Sequence, residues 1–252
     1  MSAPPLTSDA DYAIEMDGLT RRFGDFVAVD NVTLKIPKGQ LYGFLGLNGA
    51  GKTTTIRMLT SLLPPTAGTA KLWGHDVMKE PLAVRKLVGL VSDETSESQS
   101  TWTAREYLSY FARIRHLSNP SAEVERILDD VGLDSKFRGK LIRTYSTGMK
   151  RRVEIARALM GRPKVLFLDE PTRGLDLPAK RDMWSLLRRL AATESVTTFL
   201  SSHDAQEIRT LCSEISVLAK GRLVHTGPTS EMGGDIDAFE DRLIAMLTQS
   251  AS

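Results

Sequence analysis

The sequence predicts an α/β fold, an open parallel sheet with a helical subdomain inserted into it. Three observations carry that prediction. Leu41–Leu45 and Val165–Leu168 are short apolar runs of strand type, and each ends in chemistry-bearing residues, as strands of a parallel sheet do at their carboxyl ends. A glycine-rich segment, Gly46 to Thr53, stands between the first of these strands and a helix-type segment. From about Ala104 to Met160 helical periodicity dominates.

Bulk composition narrows the classes. A chain of 252 residues with 41% hydrophobic content can bury a full core, and its formal charge of +2 neither requires nor excludes nucleic acid but gives no broad basic signature; no nucleic-acid partner is expected. Cys212 is the only cysteine, which excludes an intrachain disulfide and reads as a small core residue on a helix. No apolar stretch approaches the ~20 residues that span a bilayer. Met1 to Ala10 lacks an apolar signal core. The expectation is a cytoplasmic chain that would need a partner to reach into a membrane.

Taken in order, Met1 to Asp11 reads as a loose tail and Tyr12 to Leu19 as a strand. Val27 to Ile36, interrupted at Asp30-Asn31, reads as one or two strands before the turn Pro37-Lys38-Gly39. After the glycine-rich loop come a helix over Thr54 to Leu63, a turn at Pro64 to Gly68, a short strand over Thr69 to Trp73, a helix over Leu82 to Lys86 and a buried strand over Leu87 to Val91. Ser92 to Ser100 is polar, acidic and aperiodic, a loop of the kind that carries function. Thr103 to His116 and Ser121 to Val131 are helical, Lys136 to Arg143 is basic and irregular, and Lys150 to Met160 is helical again. Beyond Val165–Leu168, a helix over Pro178 to Ala192, a strand over Ser195 to Leu200 and a helix over Ala205 to Cys212 follow. Ile215 to Ala219 and Arg222 to His225 flank Lys220-Gly221 as a hairpin, and Pro228 onward is a polar, helical tail.

Gly46, Leu47, Asn48, Gly49, Ala50, Gly51, Lys52 and Thr53 fit the phosphate-loop pattern G-x-x-x-x-G-K-[ST], in the strand–loop–helix context it needs. Glycines let the backbone approach an anion, and the N–H groups at the helix start, Thr54 included, point at phosphate oxygens. Lys52 reaches the outer phosphates and the Thr53 hydroxyl suits Mg²⁺. Asp169 at the end of an apolar strand suits the same ion, and Glu170 beside it suits a water-polarising base. Beside a phosphate loop, that pair of acids reads as functional rather than as a surface strand cap. Three further positions read two ways. Phe23 can stack on a purine or merely fill a strand end. His203 can bond a γ-phosphate oxygen or be a satisfied core histidine. Tyr145-Ser146-Thr147-Gly148 can bind an anion at a helix start or merely cap that helix. The basic helix residues Lys150, Arg151, Arg152 and Arg157 form a solvated face or meet an acidic partner. No His/Cys/Asp/Glu spacing suggests zinc.

Taken together, these strings resemble the nucleotide-binding subunits of ABC transporters over roughly residues 12 to 230. Gly46 to Thr53 looks like the Walker A loop, Val165 to Asp169 like Walker B with Glu170 as the catalytic base, and Tyr145 to Met149 like a variant of the signature motif. Gly174-Leu175-Asp176 looks like the D-loop, His203 like the switch histidine and Phe23 like the adenine-stacking aromatic. The resemblance implies a P-loop NTPase with a RecA-like core, an N-terminal antiparallel β subdomain and an inserted helical subdomain. It divides the chain into a core over 12–92 and 161–228, a helical segment over 93–160 and a tail over 229–252. It implies ATP and Mg²⁺ as cofactors and hydrolysis to ADP and phosphate. The implied partners are a separate integral membrane permease and a second nucleotide-binding subunit, as a homodimer packed head to tail. Its place would be the cytoplasmic face of the membrane, on the permease. The signature and the short tail look like the exporter group. Asp93 stands where the family has a metal-touching Gln; it can still ligate Mg²⁺, but as a carboxylate it donates no hydrogen bond. Gln99 lies in the same loop. Ser92 to Leu108 is expected to receive a helix of the membrane partner, with Trp102 and Tyr107 in contact. The rival classes are a soluble ABC ATPase acting on ribosome or nucleic acid, and a weakly hydrolysing regulator.

Overall fold

The computed structural model describes residues 12–92, 101–193 and 196–249. Alternation of apolar and polar residues makes β1 (Tyr12–Phe23) and β2 (Phe26–Pro37) one-sided strands: Val32, Leu34 and Ile36 are buried while the residues between them are exposed. They pair antiparallel, and β4 (Ala67–Leu72) and the two-residue β5 (His75–Asp76) complete a sheet in the order β2-β1-β4-β5. The interruption expected at Asp30-Asn31 is a register shift inside one continuous strand. Asn31 adopts φ 52°, and its N–H donates to the Thr20 hydroxyl (3.0 Å) instead of to a ladder carbonyl.

The second sheet runs β10-β9-β3-β8-β7-β6. β3 (Leu41–Leu45), β6 (Val88–Val91), β7 (Val165–Asp169), β8 (Thr197–Ser202) and β9 (Glu214–Ala219) are parallel; β10 (Arg222–Pro228) returns antiparallel through Lys220-Gly221. Every residue of β7 and β8 is buried, as a strand covered on both faces must be. One face packs on the antiparallel sheet and on α1 (Lys52–Leu59) through Phe44, Phe167 and Phe199, whose ring centroids lie 5.0 and 5.4 Å apart in sequence around Phe199. α2 (Pro81–Leu87) leads into β6. The other face packs Leu45, Leu166, Leu168 and Leu200 against helices.

Those helices include the inserted segment: α3 (Ala104–Ile114), α4 (Pro120–Asp130), α5 (Ser135–Arg138) and α6 (Thr147–Leu159). A capping box between Thr103 and Glu106 starts α3. The basic stretch expected to be irregular forms α5 and a 3-10 turn, because buried Arg138 donates to the Leu133 carbonyl (2.9 Å) and pairs with Glu125 and Asp129. The basic face of α6 is internal in part. Arg151 is buried, Arg152 donates to the Val131 carbonyl, and Arg157 donates to the Leu90 carbonyl (2.8 Å) on β6. The helical segment therefore shares one hydrophobic core with the sheet. α7 (Leu177–Thr193) and α8 (Ala205–Leu211) cover the same face, with Cys212 buried in it. α9 (Ile236–Gln249) docks on α8 through fully buried Phe239. Among the described residues no helix is long and apolar enough to cross a membrane.

The tightest seam between insert and sheet is at Gly89 of β6, where a Cβ would lie 2.3 Å from the Ala158 carbonyl oxygen. Gly89→Ala is expected to force α6 off β6 and destabilise the chain by about 1–3 kcal/mol. Urea unfolding checks this: a lower midpoint is predicted, and an unchanged one contradicts the close packing.

Candidate functional site

The carboxyl ends of β3, β7 and β8 lie side by side, because β8 sits between the other two. β3 runs into the glycine-rich loop. Gly51 holds φ 110°, and a Cβ there would stand 2.4 Å from the Ala28 carbonyl oxygen, so the loop can press against β2 only with glycine at that position. Gly51 also caps α1 without a side chain, leaving the first N–H groups of the helix for a ligand. Lys52, buried at the first position of α1, donates through Nζ to the carbonyls of Gly46 (2.7 Å) and Leu47 (3.2 Å). The same ammonium lies 3.2 Å from Glu170 Oε1.

The end of β7 delivers the two acids, Asp169 as its last residue and Glu170 just beyond it. Asp169 Oδ2 accepts from the Thr53 hydroxyl (2.6 Å), and its other oxygen accepts from the Ser201 hydroxyl on β8. Thr53 and Asp169 thus present hard oxygen donors beside the phosphate loop. That set suits Mg²⁺, which takes one or two protein oxygens and completes its shell from phosphates and water. Among the described residues no group of three or more His, Cys, Asp or Glu side chains could hold a metal by itself. Glu170 has φ 50°, a conformation that costs a non-glycine residue of order 1–3 kcal/mol. The Glu170 N–H is held by the Ser201 carbonyl (3.1 Å), and its Oε2 lies 2.9 Å from His203 Nδ1. Glu170 thus touches both the Lys52 ammonium and the His203 imidazole.

A cavity of about 580 Å³ opens over this ensemble, lined by Asn48, Gly49, Lys52, Thr53, Thr54, Asp169 and Glu170 among others. Phe26, Ala28, Arg57 and Arg173 line it without having carried a functional expectation. Phe23 does not line it; its ring is covered by the Arg21 guanidinium at 4.5 Å. Phe26, its partner across the β1–β2 turn and 64% exposed, does. The sequence signal for Phe26 was its place beside Phe23 in the same turn, which either aromatic could serve. Asp93 and Gln99 lie outside the described residues.

Tyr145 to Gly148 stand apart from the cavity. Tyr145 is buried with its hydroxyl donating to the Phe137 carbonyl (2.7 Å), and Ser146 caps α6 by accepting from Met149 N–H (3.3 Å). Thr147 opens α6, with Gly148 next. Asp176 caps α7, accepting from Ala179 N–H (2.9 Å). Another buried acid, Glu207, joins Ser202, Thr172 and Trp184. Burial pushes its carboxyl upward, against those three hydrogen bonds. Its only trace in the sequence was an acid in a short apolar helix.

A separate groove of about 590 Å³ is lined by Trp102, Arg105, Glu106, Tyr110 and Arg113 of the α3 region. Tyr107, expected to reach a partner, faces the core at 7% exposure, with its ring edge-on to Trp102 and Phe111. Tyr110, 49% exposed, occupies the outer position.

Residues 29–173 match the family model described as ABC transporter. The daunorubicin resistance ATP-binding protein DrrA3 of Streptomyces coeruleorubidus is 38% identical over 232 residues, covering 90% of this chain and 72% of that protein. The bacitracin transport ATP-binding protein BcrA of Bacillus licheniformis is 38% identical over 215 residues, covering 85% and 69%. In three dimensions the chain is similar to CbiO1 of Clostridium perfringens, described as part of an ABC transporter complex, with a TM-score of 0.80, 25% identity and 93% of each chain covered. With a phosphate loop, a strand-end pair of acids and these relatives, the chain belongs to the ABC transporter family, among its ATP-binding subunits.

Proposed function

We propose that this chain binds and hydrolyses ATP to power an exporter, as a separate subunit docked on a membrane permease. The observation that carries the reading is the convergence of Lys52, Thr53, Asp169, Glu170 and His203 at three adjacent strand ends. The names of the relatives, drug resistance and bacitracin transport, favour the exporter group.

The chemistry follows from the geometry. The loop N–H groups and Lys52 take the β- and γ-phosphates, and the γ-phosphate competes with Glu170 for the lysine. Freed from full pairing, the Glu170 carboxylate accepts a proton from water as the water oxygen bonds to the γ-phosphorus. The bond to the β–γ bridging oxygen breaks and leaves ADP. His203 hydrogen-bonds a γ-phosphate oxygen and orients Glu170 through Nδ1. Thr53 and Asp169 would hold Mg²⁺, with Asp93 a further candidate ligand; when bound, the ion neutralises charge on the phosphates. The aromatic at the β1–β2 turn that borders the cavity, Phe26, stacks on the adenine.

One chain supplies half of the site. Ser146 and Gly148 open a 13-residue helix whose start lies outside the cavity. A second copy packed head to tail would place that start, with Tyr145, Thr147 and Asp176 around it, on the γ-phosphate. ATP then holds the two copies together and hydrolysis lets them part. The groove at Trp102 and Tyr110 would take a helix of the permease and bring the chain to the cytoplasmic face of the membrane.

Two outcomes test this. Glu170→Gln keeps the shape of the site and removes the base, so with ATP and Mg²⁺ it should pair into a stable dimer on size exclusion, and without ATP it should not; a monomer under both conditions contradicts the shared site. Trp102→Ala and Tyr110→Ala should lower permease-coupled transport at least about tenfold, the loss of one or two buried aromatic anchors, while ATP binding is unchanged. Full transport by both variants contradicts the docking groove.

A further inference from the structure

Glu207 is a fully buried carboxylate on α8 that accepts from three side-chain donors. Its Oε2 accepts from the Ser202 hydroxyl (2.6 Å), and its Oε1 accepts from the Thr172 hydroxyl (2.8 Å) and from the Trp184 indole N–H (3.2 Å). Each partner has a place in the site. Ser202 is the residue before His203, and its carbonyl accepts from Gly46 N–H (3.2 Å) at the root of the phosphate loop. Thr172 is two residues after Glu170. Trp184 is buried on α7, the helix capped by Asp176. One carboxylate thus ties the amino side of His203 to the carboxyl side of Glu170. Asp204 closes the tie by accepting from Glu207 N–H (3.0 Å), while Asp204 N–H donates back to the Ser202 hydroxyl (3.0 Å).

A leucine would fill the same volume at no desolvation cost, so packing does not account for an acid here. The partner set does: the indole N–H is donor only, the Ser202 and Thr172 hydroxyls each point a proton inward, and a carboxylate offers the acceptors all three need. A fully satisfied buried network fixes one arrangement of the segments it joins.

We propose that Glu207 is a positioning residue for ATP hydrolysis, holding the strand ends that carry Glu170 and His203 at the spacing where those two side chains meet. It rests on the roles assigned above to Glu170 and His203, and it adds a residue that acts through them from a fully buried position. Glu207→Gln is the informative variant. It keeps the volume and one acceptor oxygen, but its amide nitrogen donates where the carboxylate accepted, so at least one of the three inward donors loses its acceptor; Ser202→Ala removes the bond beside His203 outright.

Steady-state hydrolysis by the full chain, with ATP affinity from equilibrium binding and folding from thermal unfolding, is compared for wild type, Glu207→Gln, His203→Ala and the double variant. The expected result is a kcat about tenfold lower for Glu207→Gln, the cost of a small misplacement of reacting groups, with KM, ATP affinity and unfolding temperature unchanged. In the His203→Ala background Glu207→Gln should cost nothing further. A wild-type kcat for Glu207→Gln while His203→Ala is impaired overturns the proposal alone, as does a loss that multiplies independently in the double variant. A wild-type kcat for His203→Ala overturns the role of His203 and this inference with it. Should Glu207→Gln fold poorly, Ser202→Ala takes its place and is held to the same outcomes.

Discussion

Two hydrogen bonds at the end of β8 hold the site together: Ser202 O receives Gly46 N–H on one side, and Ser201 O receives Glu170 N–H on the other. Through them the central strand fixes the phosphate loop against the acidic strand end. The order β3-β8-β7 makes this possible, since parallel neighbours bring their carboxyl ends to one edge of the sheet. Ser201 adds a side-chain bond to Asp169, and Ser202 adds one to Glu207, so each of the two serines before His203 serves the site twice. The cost is visible in Glu170, a non-glycine residue held at φ 50°.

The electrostatics are arranged for exchange of partners. Lys52 is buried and satisfied by two loop carbonyls and by Glu170, so an entering phosphate does not meet a bare charge. In the proposed mechanism it replaces one anionic partner by another, and the carboxylate it displaces is the proposed base. Glu170 is also bonded to His203, which faces the solvent side of the same edge. The signature helix start lies elsewhere on the surface, capped by its own Ser146. A helix start of this kind suits an anion.

Much of this was legible in the sequence, because apolar runs and glycine spacing report the backbone directly. Leu41–Leu45 and Val165–Leu168 gave strands at the positions found, and Gly46 to Thr53 gave the loop between β3 and α1. Readings that depend on which way a side chain turns were less accessible. Tyr107 and Tyr110 are three residues apart on α3, yet one is core and the other lines a groove. Phe23 and Phe26 flank one turn, and only the latter borders the cavity. The arginines of α6 looked like a solvated face, whereas Arg152 and Arg157 find backbone carbonyls on neighbouring elements that no local pattern reveals. The break at Asp30-Asn31 became a bulge because the Thr20 hydroxyl supplied the missing partner. Glu207 was silent for the same reason: its three donors come from β8, the loop after β7 and α7.

The central claim is that each ATP lies between the lysine loop of one copy and the serine–glycine helix start of another. Mixing two inactive variants tests it most directly. Lys52→Ala spoils the loop and Ser146→Arg spoils the helix start. In a mixed pair both defects fall on one site and leave the other whole. Hydrolysis that is absent from either variant alone and returns on mixing is the predicted result. Two folded variants that stay inactive at every mixing ratio would contradict a site shared between copies.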